Sequence, residues 1–507
     1  MTTRRSFLAA TAVLPLVAPA FQTGRGRRPN ILFAISDDQS WRHTGAIGDK
    51  IVKTPAFDQV ASQGVLFHNA ISASPGCAPS RAAILTGRGP WQLEEAGTHA
   101  SYFPRKLTVF PDLLEAQGYH IGLTGKGAGP CYWEDSGWKH NPAGPPYDKR
   151  QFDKVPQGIN KNDYASNFAD FLTAKPKDRP FFFWYGGHEP HRAYLKGAGI
   201  RAGKRIEDVE VPPFLPDTPE IRGDMLDYYV EIEWFDNHLE RMLDSLKKSG
   251  ELENTLVLVT SDNGMPFPRS KANMYEYGIH LPLAVCWAGR FQGGRSVDDI
   301  VSFTDYAPTF LSAAGTTPPR VMTGRGFLDV LTSNRSGRVD PSRTAAYSGR
   351  ERHSHSRHDN LGYPARALRT PGYLYIRNFA PDRWPAGDPD GFYDIDASPS
   401  KSFLLQNRTK GNVERFYQLA VGKHDAEELF DIRTDPGCLR NLAGDAAHAK
   451  TLAALRGQLE SRLKTERDPR LIGNGGIWES YPRHSPMRPE LGGFAERGKY
   501  NPAFQKK

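Results

Sequence analysis

The feature that most constrains the fold is a set of short apolar runs, several of which end in polar or acidic residues. Asn30–Ser36 (NILFAIS) runs directly into Asp37 and Asp38. A run without polar alternation reads as a strand buried on both faces, as in a parallel sheet covered by helices. Val65–Ile71, His120–Thr124, Pro180–Tyr185, Thr255–Thr260 and Leu283–Trp287 read as further strands. Helical segments lie between them. Pro55–Gln63 has Thr54 at the N-cap position and Gly64 beyond its end, Ser80–Leu85 opens a second helix, and Val109–Gln117 stops at Gly118. The most regular helix is Glu220–Lys248. In it Met225, Tyr229, Ile232, Phe235, Leu239, Met242 and Leu246 recur every three or four residues, and Gly250 follows as a stop. Strands alternating with helices predict an α/β fold, a large mostly parallel sheet flanked by helices.

The pattern changes at the polar, turn-rich stretch 335–342. Beyond it, Tyr373–Arg377 reads as a strand of a smaller antiparallel α+β domain, and Ala447–Leu463 as its closing helix. The expected organisation is a leader over 1–20, a linker over 21–28, the large α/β domain over 29–340, the smaller domain over 341–465 and an extended surface tail over 466–507. The leader carries Arg4-Arg5 followed by an apolar stretch to Ala18 and the small-residue site Ala18-Pro19-Ala20. That is a twin-arginine export pattern, which predicts the Tat machinery as a partner and a periplasmic or extracellular destination. A buried N-terminal helix is the alternative, and Pro15 and Pro19 argue against it. No apolar run is long enough to span a bilayer.

The formal charge is +8, and export would remove two of the arginines. Lys and Arg are dispersed, with no long basic run and no zinc-finger spacing, so nucleic acid is not indicated. A modest basic excess suits an acidic small molecule or a polyanionic glycan, and equally suits ordinary solubility. The four cysteines, Cys77, Cys131, Cys286 and Cys438, are too few and too widely spaced to frame a disulfide scaffold or a metal motif. In an oxidising compartment, pairing among them is still expected.

Open parallel sheets bind ligands beyond the carboxyl ends of their strands. The polar groups there are Asp37 and Asp38, His188, and Asp262 with Asn263. Three carboxylates and an amide make an all-oxygen set suited to Ca²⁺ or Mg²⁺ rather than zinc. Each Asp taken alone could be a cap or turn residue. Cys77-Ala-Pro-Ser-Arg81 is the most informative segment. Pro79 fits the first turn of a helix, which puts Cys77 at an N-terminus where free amides favour anions. From the residues alone, Cys77 is either a reactive thiol near an anion site or a buried structural cysteine.

The stretch Cys77-x-Pro-Ser-Arg81 through Leu85-Thr86-Gly87 resembles the signature of the sulfatase family, within the alkaline-phosphatase superfamily. Pro29-Asn30-Ile31 leading to Asp37-Asp38, Thr54-Pro55, Gly125-Lys126 and Ser261-Asp262-Asn263-Gly264 fit the same pattern, so the resemblance spans residues 29–465. Arg179–Phe183, Glu189–Arg192, Phe214–Pro219 and Ser261–Pro268 are similar to the heparan N-sulfatase branch. The resemblance implies an alkaline-phosphatase-like catalytic domain and a Cys77 converted to formylglycine by a separate maturing enzyme. The aldehyde hydrate then attacks sulfur, giving a covalent sulfo-enzyme that releases sulfate. It further implies Arg81 as electrostatic support, Lys126 and Lys271 as sulfate clamps, and His188 as the acid for the leaving group. One Ca²⁺ would be held by Asp37, Asp38, Cys77, Asp262 and Asn263. Arg269 competes with Lys271 for its role, Lys126 could be a solvated loop lysine, and His188 a core histidine.

One departure stands out: many sulfatases have a histidine two residues after the strand-end lysine, and here that residue is Ala128. Ala128 motivates an alternative of another class, a catalytically silent sulfoglycan-binding protein. Phosphonate or phosphodiester hydrolysis on the same scaffold is a third reading. The charged stretch Arg350–Asp359 reads as a solvated loop, an incidental metal tract or a substrate-facing loop. In the last case Arg352, His353, His355 and His358, with Arg366 beyond, would grip an anionic sugar.

Overall fold

The computed structural model describes residues 27–484 together with 487, 488 and 491. The expected leader, and all but the last two residues of the expected linker, lie outside the described residues. The larger sheet has seven strands: β1 (Asn30–Ser36), β2 (Val65–Ile71), β3 (His120–Gly125), β4 (Phe181–Gly186), β5 (Thr255–Ser261), β6 (His280–Cys286) and β7 (Arg295–Ser302). Their order is β3-β4-β1-β5-β6-β2-β7. All neighbours are parallel except β6, which runs antiparallel to both β5 and β2. Two antiparallel steps restore direction, so β1 to β5 and β7 all end at one edge of the sheet.

Both faces of this sheet are covered, which explains the unbroken apolar runs. Ile31, Phe33 and Ile35 pack on one side with Phe182, Trp184 and the Tyr306–Ala313 helix. Leu32 and Ala34 pack on the other with Phe183, Tyr185 and the long helix Pro219–Lys248. That helix buries Phe235, Leu239, Met242 and Leu246, as its spacing predicts. The N-terminal helix Pro55–Gln63 departs from the expected cap. The Thr54 hydroxyl accepts from Gly45 N–H (2.9 Å) and donates to Asp58 (3.1 Å). The free amides of Ala56 and Phe57 are met instead by the Asp236 carboxylate of the long helix, each at 2.8 Å. One side chain thus satisfies two orphan donors and ties the two helices together.

The second sheet is antiparallel, ordered β11-β10-β9-β8: β8 (Ala346–Arg350), β9 (Ala365–Arg369), β10 (Tyr373–Asn378) and β11 (Glu427–Asp431). The helix Ala449–Thr465 covers one of its faces through Leu452, Leu455, Leu459 and Leu463. One expectation is corrected here. All four cysteines are free thiols, with no disulfide. In the described part of the segment after 466, Asp468, Trp478 and Arg483 are each 4% exposed or less and anchor the chain to the body of the protein.

Candidate active site

Strand ends build the site. Ser36 and Ser261 are register partners on β1 and β5, and the Asp262 N–H donates to Ser36 O (3.1 Å). Asp37 and Asp38 therefore emerge beside Asp262 and Asn263. On the other flank, Gly125 of β3 pairs with Gly186 of β4, and Lys126 N–H donates to Gly186 O (2.7 Å). A Cβ on Gly186 would lie 1.8 Å from Lys126 O, so only glycine allows this approach. After β2, the loop 72–76 leads to the helix Cys77–Thr86, every residue of which is buried.

At the centre, Cys77 Sγ lies 3.3 Å from Asp37 Oδ1 and 3.9 Å from Asp38 Oδ1. Ligand atoms of Asp37, Asp38, Cys77 and Asp262 all lie within 4.8 Å of one another. Asn263 Nδ2 donates to Asp38 (2.7 Å) and Asp262 (2.6 Å), while its Oδ1 is buried without a hydrogen-bond partner. Three buried carboxylates and an orphaned amide oxygen are the donor set of a hard cation. Three basic side chains surround them. Arg81 Nε donates to Asp262 (2.7 Å), Nη1 to Lys126 O (2.6 Å), and Nη2 has no partner. Lys126 Nζ donates to Asp37. Lys271 Nζ bridges Asp38 (2.7 Å) and Asp396 (3.0 Å). Arg269 does not compete with it, since its guanidinium turns away to Leu419 O (2.8 Å) and Cys438 O.

The electrostatics split the carboxylates. Burial works against the Asp37 anion, but Lys126, with His191 and Arg81, outweighs it and holds the pKa well below the usual range. Burial and the neighbouring Asp37 push Asp262 up to about 6. Burial and Asp37 also push the Cys77 thiol well up, so it is neutral and poorly nucleophilic. Of the two readings of Cys77, this favours an unmodified thiol held in its protonated form over a reactive thiolate. His188 follows β4, with its N–H donated to Tyr164 Oη (3.2 Å). The surrounding protein and the Lys126 charge push its imidazole down to about 4.

These strand-end residues and the Cys77 helix fall within one matching sequence profile, described as Sulfatase, over residues 29–316. The chain belongs to the sulfatase family. A second profile, the C-terminal part of N-sulphoglucosamine sulphohydrolase, matches residues 269–388 and crosses the boundary expected near 340. The human N-sulphoglucosamine sulphohydrolase is 28% identical over 510 residues, covering 92% of this chain and 96% of the relative. An ulvan-active sulfatase of Formosa agariphila is 28% identical over 485 residues, covering 86% of this chain and 75% of the relative. A solved structure in complex with its substrate D-glucosamine-2-N,6-O-disulfate superposes with a TM-score of 0.64 at 22% identity. It covers 87% of this chain and 98% of that one, and shows the shared sulfatase fold.

Against that family pattern, Ala128 is wholly buried in the apolar core, with its N–H bonded to Asn141 Oδ1 (3.1 Å). Of the five residues expected to grip sugar, His353 alone comes to the site: a Cβ on Gly76, the residue before Cys77, would lie 2.9 Å from His353 Nδ1. The others find their partners elsewhere in the fold. Arg352 is buried and donates to Tyr481 O (2.9 Å) and Ser101 Oγ (2.9 Å). His355 accepts from Arg488 N–H (2.7 Å). His358 is exposed and meets Asp390 (3.0 Å). Arg366 is closed in by Asp468 (2.6 Å) and Glu351 (2.8 Å). Sequence reasoning missed Asp396 and His99. The His99 ring lies 4.7 Å from that of His353.

Proposed function

We propose that this sulfatase removes sulfate groups, as esters or sulfamates, from a sulfated saccharide, with Cys77 in its formylglycine form and one Ca²⁺. The observation carrying this reading is the Cys77 side chain at a helix N-terminus, 3.3 Å from Asp37 and ringed by Arg81, Lys126 and Lys271. An anionic, roughly tetrahedral group placed over Cys77 meets two ammonium groups and the orphaned Arg81 Nη2. Asp37, Asp38, Asp262 and Asn263 would hold the ion, which when bound supplies Lewis-acid polarisation of the sulfate oxygens. Formylglycine at position 77 supplies the nucleophilic hydroxyl that the buried thiol cannot. Lys126 and Lys271 bind and orient the sulfate. His188, exposed at the rim beyond β4, would hand a proton to the departing sugar oxygen or nitrogen. A bound substrate anion beside it would favour its protonated form.

The name of the human relative and the second profile favour N-sulfoglucosamine as the first substrate to try. The partners in this reading are the saccharide, a formylglycine-generating enzyme and the Tat export machinery, and the site of action is periplasmic or extracellular. The catalytic domain is taken as 29–340 and the smaller domain as 341–465. Sulfate release is to be measured from a panel of sulfated mono- and disaccharides that includes N-sulfoglucosamine. Release from at least one is expected. No release from N-sulfoglucosamine removes the sulfamidase reading, and preference for aryl phosphate over aryl sulfate overturns sulfate hydrolysis itself.

A pH dependence follows for the ion. Asp262 at about 6 is raised above its ordinary value, so its proton competes with the cation below that pH. Calcium affinity is expected to be flat above pH 6 and to fall about tenfold per unit below it, with one proton released per ion bound. Calcium titration of the metal-free protein at pH 5, 6 and 7 checks this. An affinity unchanged from pH 5 to 7 would refute Asp262 as a ligand.

A further inference from the structure

Arg483 is an anomaly in the buried region next to Cys77. It is 4% exposed, yet among the described residues it enters no ion pair. Its Nη1 donates to His353 O (2.8 Å), and its Nε is buried without a partner. Asp394 is the carboxylate whose field reaches it, and Asp394 is already committed elsewhere. Arg350 (2.8 Å) and Arg357 (2.9 Å) take one Asp394 oxygen, and Ser354 Oγ (2.7 Å) takes the other. Arg352 and Arg488 add like charge nearby. Burial, followed by Arg352, pushes the Arg483 guanidinium down to about 9. A buried charge is normally paired, because leaving it unpaired costs several kcal/mol. Here no described carboxylate lies within ion-pair distance of the guanidinium.

The position is also specific. His353, which Arg483 holds by its carbonyl, sits against Gly76 at the start of the Cys77 helix. His99 is held against it by its own N–H donated to Arg352 O (3.2 Å), and has a buried Nδ1 without a partner. The charges of Arg483, Lys126 and Lys271 all reach the His99 ring and, with burial, hold its imidazole well below the usual range. The cluster therefore adjoins the place where the reacting group is bound. A guanidinium prefers sulfate and carboxylate, whose oxygens it can engage in pairs.

We infer that Arg483, with His99 and His353, forms a subsite for a second anionic group of the saccharide, beside the group being removed. The second group is a sulfate or a uronate carboxylate, so the preferred substrate carries at least two negative charges. This rests on the sulfatase reading above.

The test compares N-sulfoglucosamine, glucosamine N,6-O-disulfate and N-sulfoglucosamine linked to a uronate, with the mature, calcium-loaded enzyme. At least one dianionic substrate is expected to exceed the monosulfate in kcat/KM by tenfold or more, through KM. Arg483→Gln is expected to erase that preference and leave monosulfate turnover within threefold. Arg483→Lys is expected to keep part of it, and its melting curve controls for misfolding of the glutamine variant. The disulfate and uronate arms tell sulfate from carboxylate. An equal loss on all three substrates, or a wild-type enzyme without preference, overturns the subsite. Should no saccharide be turned over, the function reading fails separately. Calorimetry of the disulfate on the Cys77→Ala protein then still decides the subsite. At least tenfold weaker binding in Cys77→Ala/Arg483→Gln supports it, and unchanged binding overturns it.

Discussion

Cys77→Ala should lower sulfate release by about 10⁴-fold or more, the scale seen when a covalent nucleophile is removed, with the fold left intact. The Cys77 side chain sits at the first position of a buried helix, 3.3 Å from Asp37. Removing one sulfur at that point leaves Arg81, Lys126 and Lys271 in place, so substrate binding should survive while turnover does not. Cys77→Ser separates two chemistries. A thiol that burial and Asp37 hold protonated is no nucleophile, and a serine hydroxyl in the same field ionises still less readily. Serine is therefore expected to fall as far as alanine unless the host's maturing enzyme also accepts it. Mass spectrometry of the Cys77 peptide from active wild-type protein should show the aldehyde form. Full activity in material carrying only the thiol would refute the proposed nucleophile, and a silent binding protein would show neither activity nor the modification.

The parts of the site that the sequence displays are those tied to strand ends. Asp37, Asp38, Asp262 and Asn263 follow apolar runs directly, and a parallel sheet carries such ends to one edge whatever the loops do. Lys126 and His188 share that logic through β3 and β4. Residues that reach the site from long loops carry no such signal. Asp396 meets Lys271 from 125 residues away, and Arg483 meets the His353 carbonyl from 130 residues away. Neither segment has a period that would place it. The second sheet was only partly legible for a different reason. β8, β9 and β11 contain charged residues at buried positions, and those charges are tolerated because partners arrive from elsewhere. Arg369 of β9 meets Glu276 (3.2 Å), and Arg350 of β8 meets Asp394. A pattern of apolar residues alone cannot foresee a strand whose inward side chains are neutralised ions. β7 was missed likewise, since Arg295, Asp298 and Asp299 break its apolar content.

Arg366 is where that distinction has its largest effect on stability. The sequence reads it as a sugar-gripping residue, and the structure gives it two carboxylates. Its Nε and Nη2 fork onto Asp468 (2.6 and 3.1 Å), and Nη2 also reaches Glu351 (2.8 Å). All three residues are buried, at 1%, 0% and 4% exposure. Asp468 lies at the end of the Ala449–Thr465 helix, where its N–H caps Leu463 O (2.8 Å). The pair thus fastens the last helix and the following segment onto β9. Arg366→Met would leave Asp468 buried without its cation, a loss of about 3–5 kcal/mol. Glu351 is cushioned by Arg470 (2.7 Å), so the deficit falls mainly on Asp468. Chemical denaturation of Arg366→Met should show that loss, while kcat/KM per folded molecule stays near wild type. Arg366→Met/Asp468→Leu should recover much of the stability, because exchanging both ends of a buried ion pair for apolar groups is often neutral. The opposite pattern, normal stability with kcat/KM collapsed on every sulfated sugar, would return Arg366 to the substrate. The distances make that pattern hard to reach, since both faces of the guanidinium fork are already filled.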